Sequence, residues 1–181
     1  LNNLDADVIF IKNIDNVIQN HIDQITLYKK ALAGILVEMQ QKVFEYLRLI
    51  DQEKIKEDNI EEILLFLEKS FSVEMTADFN KFTFENKISK LKELLDRPIR
   101  VCGMVKNEGE PGGGPFWVMN KKGIKSLQIV ETSQVDLEEK KQEKILAEAT
   151  HFNPVDLVCG IKKNKNEKFN LLQYVDQKAG F

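Results

Sequence analysis

Cysteine, histidine and tryptophan are scarce in this chain: two, two and one among 181 residues. Cys102 and Cys159 are too few for a disulfide framework or a cysteine-built metal site. Each lies in an apolar run, so reduced core thiols are expected. His21 and His151 stand far apart in sequence, and a lone His151 without a Cys or acidic partner is weak evidence for catalysis. No apolar run approaches the roughly 20 residues of a membrane-spanning helix. No signal-peptide pattern is visible, and the cytoplasm is the expected compartment. An excess of one charge is also missing. The 26 basic and 29 acidic residues leave a net charge of −3, which gives no electrostatic reason to bind nucleic acid or an anionic membrane. Internal repeats and low-complexity linkers are absent.

What is present is an ordinary globular composition, 43% hydrophobic and 30% charged. The length suffices for one domain with its own core. The chain begins without Met and enters an apolar run at once, and it stops abruptly at Lys178-Ala179-Gly180-Phe181. The expectation is an internal piece of a longer protein, a single partial domain over 1–181.

Val8-Ile9-Phe10-Ile11 is four consecutive β-favouring residues, the pattern of a central parallel strand buried on both faces. A polar turn follows at Lys12-Asn13-Ile14-Asp15-Asn16. From Gln24 to Ile50 apolar residues recur at helical spacing, including Tyr28, Leu32, Ile35, Leu36, Met39, Val43, Phe44, Leu47 and Ile50. Asp58 with Glu61 has the form of an N-cap and its N3 carboxylate, opening a second helix with Ile60, Ile63, Leu64 and Leu67 inward. A third helix is predicted over 86–95, with Ile88, Leu91, Leu94 and Leu95 buried, and Pro98 bars its extension. The pattern then turns to strands at 99–105, 116–118, 127–131 and 155–161. A helix from a capping box at Asp136 and Glu139 runs to Ala149 between the last two. Residues 1–23 carry the first strand and a loop, 24–98 are mainly helical, and 99–181 are rich in strands. The class is α/β with a helical insertion.

Four polar segments bear on chemistry. Asn13-Ile14-Asp15-Asn16 leaves the carboxyl end of the first strand, where open parallel sheets bind ligands. A carboxylate there suits a divalent cation bridging phosphates. The other reading is a turn whose Asn and Asp side chains bond their own backbone. Gly109 to Pro115 is too rich in Gly and Pro for a helix or strand. It lacks the Lys-Ser/Thr ending of a phosphate-binding loop and leads into a strand, so it is either a mobile loop over a site or a hairpin connection. Glu131-Thr132-Ser133-Gln134 follows a strand and either holds a hydroxylated ligand or forms the entry to the next helix. His151-Phe152-Asn153-Pro154 joins a helix to a strand.

Together the segments DADVIFIKNIDNV, RPIRVCGMVKNEGEPGGGPFWV, LQIVETSQVD and HFNPVDLVCGI resemble the DUF4301 family, uncharacterised proteins typical of Bacteroidetes. Members of that family are longer than this chain. They are in turn remotely similar to UDP-sugar pyrophosphorylases, which have a GT-A-like nucleotidyltransferase fold. The resemblance implies that this chain is part of a GT-A-like nucleotide-diphospho-sugar transferase sheet, its sugar-side half. In those enzymes an Asn-x-Asp-Asn segment approaches metal and nucleotide sugar; here it is matched by Asn13, Asp15 and Asn16. A Val-Val-Glu-Tyr-Ser-Glu type segment is matched at Val130-Glu131-Thr132-Ser133, with Thr for Tyr and Gln134 for the second Glu. A Phe-Asn-x-x-Asn type segment is matched at Phe152 and Asn153, with Asp156 in place of the second Asn. The resemblance thus implies Mg2+ at Asp15 and a nucleotide sugar or sugar phosphate held by Asn13, Asn16, Glu131, Ser133 and Asn153. Groups that cradle the triphosphate would come from upstream, so this chain alone would not turn over. Two alternatives are a non-catalytic nucleotide-sugar or protein-binding module, and a helical interaction scaffold centred on residues 24–95.

Overall fold

The computed structural model describes residues 1–13, 20–109 and 112–174. Its centre is α1, Ile22–Asp51, close to the helix expected over 24–50. Leu36, Val43, Leu47 and Ile50 recur every three to seven residues, so they share one face and are buried along it. Tyr46 joins them with its ring only 2% exposed. The inward stripe is narrower than the sequence periodicity predicts. Ile35 is 46% exposed and Tyr28 is 72% exposed, while Leu32, Met39 and Phe44 are only partly buried. Among the described residues, those of α1 that are buried all lie from Leu36 onward.

α2, Glu57–Phe71, buries Ile60, Ile63 and Leu67 against α1, as expected. Its start differs. Lys56 is the cap residue, and Asn59 Oδ1 accepts from the Lys56 backbone N–H at 2.9 Å. Asp58 therefore lies inside the first turn, where a carboxylate still meets the positive end of the helix dipole. α3, Phe84–Leu95, begins two residues earlier than the apolar period implies, because Thr83 Oγ1 accepts from Asn86 N–H as a side-chain cap. Leu91 and Leu95 close the helical core, which continues through Ile99 and Val158 into a sheet.

That sheet has the order β1-β8-β3, with β1 at Ile9–Lys12, β3 at Ile99–Cys102 and β8 at Asp156–Gly160. Here the first strand departs from expectation. It is at the edge and antiparallel to β8, and Phe10 is 44% exposed. An apolar run reports affinity for both faces of a sheet but not the place of a strand within it. The central position belongs to β8, whose Val158 is fully buried. Ile9 packs with Cys159 and Ile161 in a small second cluster on the other face. Gly160 lets the Gln40 side chain of α1 lie directly on the strand, in space a Cβ would need. Burial pushes both thiols, Cys102 and Cys159, above the usual range; Cys159 is buried in the second cluster, whereas Cys102 is half-buried and outside both clusters.

A second sheet has the order β2-β6-β5, from Val73–Glu74, Lys125–Val130 and Gly114–Met119. β5 and β6 form a hairpin closed by Asn120, whose Oδ1 accepts from both Lys122 and Ile124 N–H, with Gly123 supplying a positive φ of 77°. A two-residue ribbon pairs β4, Val105–Lys106, with β7, His151–Phe152. α4 covers only Lys140–Ala147. The expected capping box fails because Asp136 is used earlier: its Oδ1 accepts from Glu138 N–H, and its own N–H donates to Gln142 Oε1. The mixture of helices and small antiparallel sheets is an α/β architecture. No helix among the described residues is long and apolar enough to cross a membrane.

Candidate functional site

β1 and β3 are both antiparallel to β8. They therefore run in the same direction, and their carboxyl ends leave the sheet at one edge, where β8 enters. Lys12, Asn13, Gly103 and Asp156 meet there. Lys12 Nζ pairs with Asp156 Oδ2 at 3.0 Å, with side chains 20% and 24% exposed. Gly103 N–H donates to Asp156 O at 2.8 Å, and Asn13 N–H donates to Val155 O at 3.0 Å.

Asn153 is the buried polar residue of this corner, 4% exposed. Its Nδ2 donates to Gly103 O at 2.6 Å, and its Oδ1 accepts from Val155 N–H at 3.1 Å. Its backbone N–H donates to Gly113 O at 2.8 Å. The side-chain amide is thus engaged at both ends, as a buried amide must be. Val155 follows with φ +55°, an uncommon conformation for a β-branched residue because its Cβ crowds the carbonyl oxygen.

Gly113 links this corner to Glu131. The β5–β6 register pairs Gly114 with Val130, which brings Gly113 alongside the end of β6. A Cβ on Gly113 would come to 2.6 Å from Ile129 Cγ2 and 2.8 Å from Glu131 Oε1. A Cβ on Gly114 would lie 2.8 Å from the Phe116 ring, and one on Gly112 would lie 3.1 Å from the Phe152 ring. The described part of the glycine run is therefore a thin ribbon laid between β6 and the Phe152–Asn153 segment. Its lack of side chains is what lets those two segments approach. Gly109, with φ +112°, turns the chain before it, helped by Asn107 Oδ1 accepting its N–H.

Glu131 is exposed at the end of β6 and caps the short 3-10 turn Thr132–Gln134; its N–H donates to Gln134 Oε1 at 2.9 Å. Ser133 is exposed on that turn. Asn13 thus adjoins the Gly113–Asn153–Val155 connection at its Val155 end and Glu131 at its Gly113 end, and Ser133 lies further along the turn. Asp15 and Asn16 lie outside the described residues. Among the described residues no cluster of three or more His, Cys, Asp or Glu side chains is arranged to hold a metal ion. His151 is exposed, with Nδ1 2.9 Å from Thr150 Oγ1.

The DUF4301 family profile, described as a domain of unknown function, matches residues 1–181. The chain belongs to the DUF4301 family. No curated protein and no solved structure matches it.

In this DUF4301 chain, two features of the corner are not read from the sequence. One is the pairing of Lys12 with Asp156. A basic residue directly before Asn13 and an acid at 156 were its signal, but only strand pairing shows that they face each other. The other is the left-handed Val155, for which the local sequence offers no signal, since Val disfavours it. Open depressions of about 650 and 280 Å3 lie elsewhere, along α1. The first is bordered by Glu38, Lys42, Glu45 and Phe66, the second by Gln40, Phe44, Lys162 and Asn164.

Proposed function

We propose that this chain is the sugar-side part of a nucleotidyltransferase-like protein, distantly akin to the UDP-sugar pyrophosphorylases and their GT-A-like fold. The observation that carries the reading is that Asn13 and Glu131 each adjoin the connection built on Asn153, Asn13 through its N–H to Val155 O and Glu131 through its carboxylate beside Gly113. Three segments remote in sequence, each matching a segment of the pyrophosphorylase pattern, have no need to meet in an unrelated fold. In this reading a sugar phosphate oxygen attacks the α-phosphorus of a nucleoside triphosphate and pyrophosphate leaves. Such a transfer depends on alignment and charge neutralisation rather than on a protein nucleophile. Glu131, exposed and acceptor-only when ionised, orients sugar hydroxyls. Asn13 and Asn16, with Ser133, add polar contacts. Mg2+ at Asp15 supplies charge neutralisation when bound, and belongs to the same proposal. The described residues by themselves make no such metal site.

The test is pyrophosphate release from UTP and a panel of sugar 1-phosphates with Mg2+. Release is expected from a longer DUF4301 protein containing this chain, and not from the chain alone. Loss of release in Glu131→Ala and Asp15→Ala supports the assignment. Release that survives Asp15→Ala removes Asp15 from the mechanism.

A second reading is a binding module that keeps the architecture without the reaction. It is favoured by the Asn153 amide, whose oxygen and nitrogen each bond within the fold. Retention of a UDP-sugar without turnover across the panel would select it.

A further inference from the structure

We infer that Asn153 is a positioning residue, whose side chain clamps the backbone on which Asn13 rests and does not itself touch a ligand. The inference rests on the proposal that the Asn13 segment meets ligand, and it assigns Asn153 a different part from the one its motif implies.

The clamp follows from four bonds. Asn153 Oδ1 holds Val155 N–H, an i to i+2 bond that folds the chain back within three residues. Asn153 Nδ2 ties that fold to Gly103 O at the end of β3. Val155, held at φ +55°, turns its carbonyl toward β1, where it accepts the Asn13 N–H. Gly103 N–H on Asp156 O closes the ring on the far side. A valine does not keep this conformation unless its surroundings impose it. Asn153 supplies both an acceptor and a donor at the required places. Aspartate keeps only the acceptor, and alanine neither. With one hydrogen bond at each end of the amide and 4% exposure, the side chain presents almost no surface to a ligand.

Val155→Gly separates the clamp from ligand contact, because glycine adopts positive φ freely. Amide hydrogen exchange at Asn13 reports the anchored bond directly. UDP-glucose with Mg2+ serves as the binding probe. In Asn153→Ala, Asn13 exchange is expected to speed up at least about tenfold, since the bond loses its support. In Asn153→Ala/Val155→Gly, slow exchange and any probe binding should return toward the parent values. Unchanged Asn13 exchange in Asn153→Ala overturns the clamp, and so does a double variant no better than the single one. Loss of probe binding with Asn13 exchange unchanged assigns Asn153 to the ligand and overturns the clamp while sparing the functional reading. A parent protein that ignores the probe counts against that reading alone, because the exchange comparison still decides the clamp. If Asn153→Ala does not fold, Val155→Gly in the parent background decides. A melting temperature raised by a few degrees with Asn13 exchange still slow supports a strained residue under restraint, and an unchanged or lowered one overturns it.

Discussion

Tyr46 on α1 donates its phenolic hydrogen bond to Glu62 on α2, with Oη 2.8 Å from Oε1. Lys42 reaches the same carboxylate at 3.1 Å and also lies over the Tyr46 ring. The ring is buried in the helical core while the hydroxyl meets a carboxylate at its margin, an arrangement that suits the amphipathic tyrosine. Burial, then the bond to Glu62, pushes the Tyr46 hydroxyl up to about 12. The Tyr46 bond, then Lys42, holds Glu62 below the usual carboxylate range.

The first prediction follows from that tyrosine. In the unfolded chain Tyr46 ionises near its ordinary value of 10.0; in the fold it stays protonated to about 12. Its contribution is therefore complete below pH 10 and is lost as pH rises through that window. Tyr46→Phe should lower stability at neutral pH by about 1 kcal/mol, the net worth of a hydrogen bond. It should also flatten the decline between pH 10 and 12. Denaturant titrations of both proteins across that range check it. Equal slopes with pH would remove Tyr46 from the alkaline transition.

The second prediction corrects the helical stripe. Leu36 is fully buried and its neighbour Ile35 is 46% exposed. Leu36→Ala should cost about 2–5 kcal/mol through lost burial and a residual cavity. Ile35→Asp, which the periodicity alone would condemn, should be tolerated because its charge stays in water. Melting temperatures of the two variants, measured side by side, distinguish an inward Leu36 from an inward Ile35.

The contrast between Leu36 and Ile35 shows where sequence is informative and where it stops. Local period marked α1, α2 and α3 nearly to their ends, because a helix answers to neighbours three and four residues away. The caps were less legible: Asp58 and Asp136 had the right chemistry, but Asn59 and Gln142 bonded the backbone instead. The β1 run was correctly apolar, yet its rank in the sheet depends on β8, more than 140 residues later, so it was misplaced at the centre. At the candidate site, Asn13, Glu131 and Asn153 could be named from their segments. That Asn153 faces inward, and that Lys12 finds Asp156, depends on long-range pairing that no local pattern encodes.

The last prediction tests whether the glycine ribbon packs against Ile129 and Glu131 at the end of β6. Gly113 lies between β6 and Asn153, accepting the Asn153 N–H and abutting the Glu131 carboxylate. Gly34, by comparison, lies within α1, and among the described residues no atom outside its own stretch of helix is inside 4 Å of where a Cβ would be. Gly34→Ala should stabilise the protein by about 1 kcal/mol, because alanine loses less backbone entropy in a helix. Gly113→Ala should destabilise it by roughly 1–3 kcal/mol, since the methyl group must displace Ile129 or Glu131 in a packed contact. Gly113→Ala/Glu131→Ala removes one of the two obstacles but leaves Ile129 Cγ2 at 2.6 Å. It should recover only part of the loss. Adding Ile129→Val does not clear the space if Cγ2 is retained, whereas Ile129→Ala does. Stability of the Gly113→Ala/Ile129→Ala pair is therefore expected to exceed the sum of the single effects. Strict additivity in that cycle would mean that Gly113 and Ile129 do not touch, and would remove the ribbon as the device that packs against the end of β6.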